Sequence, residues 1–174
     1  MSRHSGRERV AAWWDALADE NAEKAYQAMR EMSAHPSATV TLLRAKLKPI
    51  QKVEATRLDA LLAKLDDDSF KAREEASQEL VALGDAVESR LRAVLRGAPN
   101  LEVKRRAEEA LTQIDAGRLR SERAVEVLEM IGDAAARKFL RELASGLRGA
   151  ARTTDAAGAI DRTSRPMRND SAGP

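Results

Sequence analysis

The sequence contains no cysteine, two histidines and only five aromatic side chains, Trp13, Trp14, Tyr26, Phe70 and Phe139, among 174 residues. The missing cysteine rules out a disulfide framework, a thiol nucleophile and a thiolate zinc site. His4 and His35 leave little material for imidazole general-base chemistry or for a hydrolase triad. β-branched and aromatic residues are scarce while Ala, Leu, Glu, Lys and Arg dominate, which excludes an all-β fold and favours helix nearly everywhere. Neither sign of charge prevails: 30 basic residues face 28 acidic ones, a formal +2. That balance is not a polybasic nucleic-acid tail. No apolar run approaches the roughly 18 to 20 residues of a membrane span, and Met1-Ser2-Arg3-His4-Ser5 lacks the apolar stretch of a secretory leader. A cytoplasmic protein is expected.

What the sequence does carry is helical periodicity interrupted at short intervals. Val10, Trp13, Trp14 and Leu17 form one apolar stripe of a first helix over about 6–18. Asp19 is placed to cap a second helix carrying Ala25, Tyr26, Met29 and Met32, and Pro36 suits the first turn of a third, which Pro49 stops. Leu58, Leu61, Leu62 and Leu65 follow, and Asp68 is the expected cap of a helix displaying Ala72, Ala76, Leu80 and Leu83 before Gly84. Further helices carry Leu91 and Leu95, then Val103 to Ile114, then Ala124 to Ile131, with Gly117 expected between the last two. A helix with Phe139 and Leu143 and a weak last one with Ala156 and Ile160 complete the series. Residues 163–174 are expected to form a disordered tail.

The chain also resembles itself. Leu83-Gly84-Asp85-Ala86 returns 48 positions later as Ile131-Gly132-Asp133-Ala134, and the same step takes Ala76 to Ala124, Leu80 to Leu128 and Leu91 to Phe139. Stepping back by the same amount pairs Ala76 with Ala28, Leu80 with Met32 and Leu91 with Leu43. Three copies of about 48 residues and three helices each, over 19–66, 67–116 and 117–162, with the helix over 6–18 as a cap, predict a single all-α domain over 1–162. The period lies near that of HEAT and armadillo units, so the expected architecture is a short α-solenoid in which each unit buries its apolar face only against its neighbours.

The stretch Leu65-Asp66-Asp67-Asp68-Ser69-Phe70-Lys71-Ala72-Arg73, followed by Ala76, Leu80, Leu83 and Gly84, resembles a HEAT-type repeat, as does Arg123 to Gly132 with Ala136, Leu140, Leu143 and Gly146. The order of Trp14, Leu17, Asp19, Ala25-Tyr26, Pro36, Leu43, Leu47 and Pro49, then Phe70 and Arg73, is similar to the helical region that follows WD-repeat β-propellers in certain large bacterial proteins. The likeness spans about residues 10–162. It implies a helical appendage to a propeller, with no catalytic residues to carry over; this sequence contains no propeller, and its last helix, with Thr153, Thr154 and Gly158, departs from the pattern.

The search for chemistry returns little. A calcium loop counted from Asp66, Asp67 or Asp68 finds no full ligand set, there is no Walker-type glycine loop, and neither a metal nor a cofactor is expected. Arg73 is expected to tie adjacent links through a carboxylate such as Asp67. The expected role is a non-enzymatic scaffold binding another protein, with Trp13, Trp14 and Tyr26 as the candidate interface; the resemblance implies a β-propeller as that partner. The alternative is a nucleic-acid-binding solenoid using Arg92, Arg96, Lys104 and Arg105, because phosphate contacts need only positive charge.

Overall fold

The computed structural model describes residues 12–97 and 100–164. Among them the chain is all-helical, with no strand. A short helical stretch, 12–16, leads to α1 (Ala22–Ala34), α2 (Pro36–Lys46), α3 (Ala55–Ala63), α4 (Phe70–Leu83), α5 (Glu88–Arg96), α6 (Leu101–Ile131), α7 (Ala134–Ala144) and α8 (Ala151–Ser164). Single 3-10 turns at Lys64–Asp66 and Gly84–Ala86 tighten two of the links. No helix is long and apolar enough to cross a membrane, among the described residues. The start of the expected first helix, 6–11, lies outside the described residues, as do residues 165–174 of the expected tail.

Local chemistry sets the helix ends. The cap of α1 is Asn21, whose side chain accepts from the backbone N–H groups of Glu23 and Lys24; Asp19 instead accepts from the N–H of Asn21 at 2.8 Å. The same arrangement recurs at α4. There Ser69 accepts from the N–H of Ala72, and Asp67 accepts from the N–H of Ser69 at 2.8 Å. Asp19 and Asp68 are therefore not the caps expected from sequence: in each case a neighbouring side chain has the extended backbone that lets its oxygen fold back over the first turn. Pro36 occupies the first turn of α2, where a missing N–H costs nothing. At the other ends, Gly84 and Gly132 take positive φ, 58° and 60°, and Asp133 then caps α7 by accepting from the N–H of Ala136 at 2.7 Å.

Two further expectations are corrected. Gly117 does not divide two helices: α6 runs unbroken for 31 residues, about 46 Å, so the boundary drawn at 116/117 falls in mid-helix. Thr163 and Ser164 are helical, so the last helix continues past the expected start of the tail.

The core is divided. One apolar cluster, the middle lobe, joins Leu58, Leu61 and Leu65 to Leu80, Val87 and Leu91 and to the N-terminal half of α6, from Val103 to Ile114. The other, the flanking lobe, joins Leu17, Met29, Met32, Val40, Leu43 and Leu47 to the C-terminal half of α6, from Ala124 to Leu128, and to Phe139, Leu140, Leu143, Ala156 and Ala159. The positions related by the 48-residue step lie mostly inside: Ala28, Ala76 and Ala124 are buried, as are Met32, Leu80 and Leu128 and then Leu43, Leu91 and Phe139. Their stacking departs from the expected order. The first pair of helices, α1 and α2, packs on the second half of α6 and on α7, not on α4 and α5, while α3 leaves to join the middle lobe. Pro49 and the extended link after it carry the chain out of the flanking lobe, and the uninterrupted α6 carries it back.

The return is fastened at the waist. The N–H of Leu147 donates to the carbonyl of Ile50 at 2.6 Å, and Gly146 lies so close that a Cβ there would stand 2.8 Å from the Ile50 nitrogen and from Thr153 Oγ1. Only glycine admits that approach.

Candidate protein-docking groove

Where α1 crosses the second half of α6, small side chains leave a groove of about 660 Å³. Its α1 wall is Ala22, Ala25, Tyr26 and Met29, spaced at i, i+3, i+4 and i+7; its α6 wall includes Leu119, Glu122, Glu126 and Met130. Ala25 and Met29 are buried and form the floor, whereas Tyr26 and Met130 are 56% and 48% exposed at the mouth. Large apolar side chains held open to water in this way favour contact with another apolar surface.

The charge around the groove is uneven. Arg123, in the α6 wall, donates from Nη1 to the carbonyls of Leu17 and Asp19 at 2.8 and 2.9 Å. Its charge is thus spent on the unsatisfied carbonyls that follow the short helical stretch 12–16. Glu129 takes both oxygens to Arg162 at 2.8 Å. Glu122 and Glu126 form no ion pair among the described residues, so the α6 rim is negative. Nearby Asp155, with one carboxylate oxygen buried and without a hydrogen-bond partner among the described residues, has its pKa raised by burial and then by the charge of Asp85.

Of the interface residues expected from sequence, Tyr26 lies at the groove and the two tryptophans do not. Trp13 and Trp14 are half-buried against the flanking core. The Trp13 ring sits 5.3 Å from that of His35, and the Arg120 guanidinium lies 5.2 Å over Trp14. His35 also holds the carbonyl of Glu31 through Nδ1 at 2.8 Å, so it serves the end of α1. Sequence reasoning did not single out Leu119 and Met130. Their signal is that each is an apolar residue off the buried stripe of α6, on its charged side.

The basic residues expected to contact nucleic acid are on α5 and the start of α6, and most are paired. Arg92 binds Glu88 at 2.8 Å. Lys104 lies 4.0 Å from Glu108. Arg105 bridges Glu102 and Glu109 at 3.1 and 2.6 Å. Arg96 is exposed at the last turn of α5. Donation from Arg105 and then Arg106 lowers the Glu102 pKa to about 2. Arg106 itself is buried, 3% exposed, and bonded to Glu102, Glu74 and Ser77. Arg73 does tie to a carboxylate, but to Glu102 at 3.5 Å rather than to Asp67, and its Nη1 donates to the backbone carbonyls of Asp67 and Asp68 at 2.6 and 3.0 Å, because both point at it from the turn before α4. Among the described residues no cluster of three or more His, Asp or Glu is arranged to hold a metal ion. Comparison with family models, with curated proteins and with solved structures finds no match to this chain.

Proposed function

We propose that the protein is a non-enzymatic interaction scaffold of HEAT-like three-helix units, and that its α1/α6 groove takes an amphipathic helix from a partner protein, one with basic residues flanking the apolar stripe. The observation that carries this reading is the pair of exposed apolar side chains, Tyr26 and Met130, beside the carboxylates of Glu122 and Glu126, which form no ion pair among the described residues. An apolar groove with an acidic rim matches an i, i+3, i+4, i+7 ligand bearing Lys or Arg at its edges. The unit structure is supported by helix spacing: α1 and α4 begin at Ala22 and Phe70, 48 residues apart, and α3 and α8 begin at Ala55 and Ala151, two such steps apart.

The test uses two synthetic helical peptides with one leucine stripe, one flanked by lysines and one by glutamates, titrated calorimetrically into the full chain. The lysine peptide should bind at least tenfold tighter, and Tyr26→Ala, Met130→Ala and Glu126→Lys should each weaken it about tenfold. Equal binding of both peptides, or indifference to all three substitutions, would overturn the reading. The nucleic-acid alternative is not favoured, since Arg92, Lys104 and Arg105 already have carboxylate partners.

A further inference from the structure

The waist between the lobes holds a second cleft, of about 420 Å³, lined in part by Gly117 at the middle of α6. Three arginines line it, Arg118, Arg120 and Arg152, against one carboxylate, Asp85. Arg118 is already neutralised, bonded to Glu88 at 2.9 Å and to Asp115. Among the described residues the other two have only neutral partners. Arg152 donates from Nη1 to the carbonyl of Lys48 at 2.8 Å, and from Nη2 and Nε to Ser121 Oγ at 2.9 and 3.2 Å. Arg120 rests on the face of Trp14, and its Nε is buried with no hydrogen-bond partner among the described residues. Among the described residues neither forms an ion pair within 4 Å.

Such an arrangement is incomplete as it stands. A guanidinium partly drawn out of water loses hydration that a carbonyl or a hydroxyl only partly replaces, and without an ion pair its charge is only partly compensated. The pKa of Arg152 is accordingly lowered by burial, with only Asp85 acting in the opposite sense. Nor is the space taken up: a Cβ added at Gly117 would meet nothing within 4 Å.

We propose that this cleft binds a soluble, singly phosphorylated small molecule, its phosphoryl group held by Arg120 and Arg152. The planar fork of arginine matches phosphoryl oxygens in pairs, and two forks on one cleft can hold one such group. Ile50, Val81 and Ile114 supply apolar wall for a carbon skeleton, and Asp85 supplies an acceptor for a ligand hydroxyl. The same carboxylate repels a second anionic group, which selects against polyphosphates. This site is separate from the α1/α6 groove and stands or falls without it.

The experiment titrates the full chain with ribose 5-phosphate at fixed ionic strength, following heat and melting temperature, with ribose and pyrophosphate as comparisons. Ribose 5-phosphate should bind and raise the melting temperature, ribose should do neither, and pyrophosphate should bind at least tenfold more weakly. Arg120→Gln and Arg152→Gln should each weaken binding tenfold or more. Because Arg152 also holds the carbonyl of Lys48, Gly117→Glu provides a variant with room to fold, placing a carboxylate in the cleft; it should abolish binding. Asp85→Asn should leave the phosphate affinity intact or tighten it. If Asp85→Asn instead lowers both melting temperature and affinity, Asp85 is the arginines' own counterion and the proposal fails. It fails equally if ribose 5-phosphate gives no response at millimolar concentration, or if Gly117→Glu binds as the parent does. Vesicles of phosphatidic acid in phosphatidylcholine present the same headgroup on a surface: co-sedimentation without a response to ribose 5-phosphate would replace the soluble ligand with a lipid and overturn the assignment.

Discussion

The two lobes share only α6 and are built from similar helices with similar small apolar side chains, yet they close over very different lengths of chain. In the middle lobe, side chains bind partners nearby in sequence: Arg57 with Glu79, 22 residues away, Arg90 with Asp59, 31 away, and Arg106 with Glu74, 32 away. The flanking lobe has links as short, such as Arg162 with Glu129, 33 away, but those that bring in its first helices span about a hundred residues. Arg44 binds Glu142 across 98, Arg152 binds the carbonyl of Lys48 across 104, and Arg123 binds that of Leu17 across 106. Similar units can therefore make a local core or a distant one, and what decides between them is the connections. Pro49 sends α3 away from α1 and α2, and α6 returns without a break.

The sharpest way to break the comparison is to empty matched core positions. Leu80→Ala in the middle lobe and Leu128→Ala in the flanking lobe remove side chains that are both fully buried; each should cost about 2 to 5 kcal/mol. If α6 couples the lobes, calorimetry of either variant shows one transition moved downward. Two resolved transitions, with only the mutated lobe moving, would show instead that the helix joins two independently melting bodies.

A smaller effect is expected at the waist. Gly146→Ala puts a methyl group 2.8 Å from the Ile50 nitrogen and Thr153 Oγ1, and the forced shift should cost about 1 to 3 kcal/mol. The loss should appear in the flanking lobe, as faster amide exchange in α7 and α8 than in α4. Exchange that accelerates equally in both lobes would show the waist contact to be shared.

Gly117→Ala acts in the opposite direction. The position is helical with open space around it, so alanine should stabilise by up to about 1 kcal/mol, read as a rise in urea midpoint. A fall would show that the middle of α6 needs glycine for a reason other than helix formation.

The weakest contrast is electrostatic. Glu102, held at about 2 by Arg105 and Arg106, is the most strongly depressed carboxylate of the middle lobe. A carboxyl group lower in the folded than in the unfolded chain contributes stability in full above its ordinary value of 4.5, and loses it as the pH falls from there toward 2. Between pH 5 and pH 3 the urea midpoint should therefore drop less in Glu102→Gln than in the parent. Equal drops would show the pairing to be screened by solvent.

Helix content and burial were legible in the sequence because each helix places its leucines and alanines at helical spacing; Leu43, Leu80, Leu91 and Leu128 are all fully buried. The caps were less legible. Asp19-Glu20-Asn21 and Asp67-Asp68-Ser69 each offer several oxygens, and the backbone, not composition, selects Asn21 and Ser69. The same spacing explains the missed continuity of α6. One further step along the period lie Asp115 and Gly117, in register with Asp19 and Asn21 and with Asp67 and Ser69. Gly117 has no side chain to fold back over a first turn, so nothing competes with the helix, and Asp115 binds Arg118 instead. A glycine read as a break is here the absence of a cap. The groove was visible in part, through Tyr26, whereas Arg120 and Arg152 carried no local signal at all: they line one cleft only when α8 is laid beside α6.

The separation between α2 and its partners on α7 also orders events in time. As the chain leaves the ribosome, every residue of the middle lobe's core, from Leu58 to Ile114, emerges before the first residue of the second half of α6. Its contacts are near in sequence and can form as synthesis proceeds. Helices α1 and α2, made earlier, must wait with Met29, Met32 and Leu43 uncovered until α7 arrives. Helices α1 and α2, synthesised before the middle lobe, are thus buried after it, and in that interval their apolar faces are open to a chaperone.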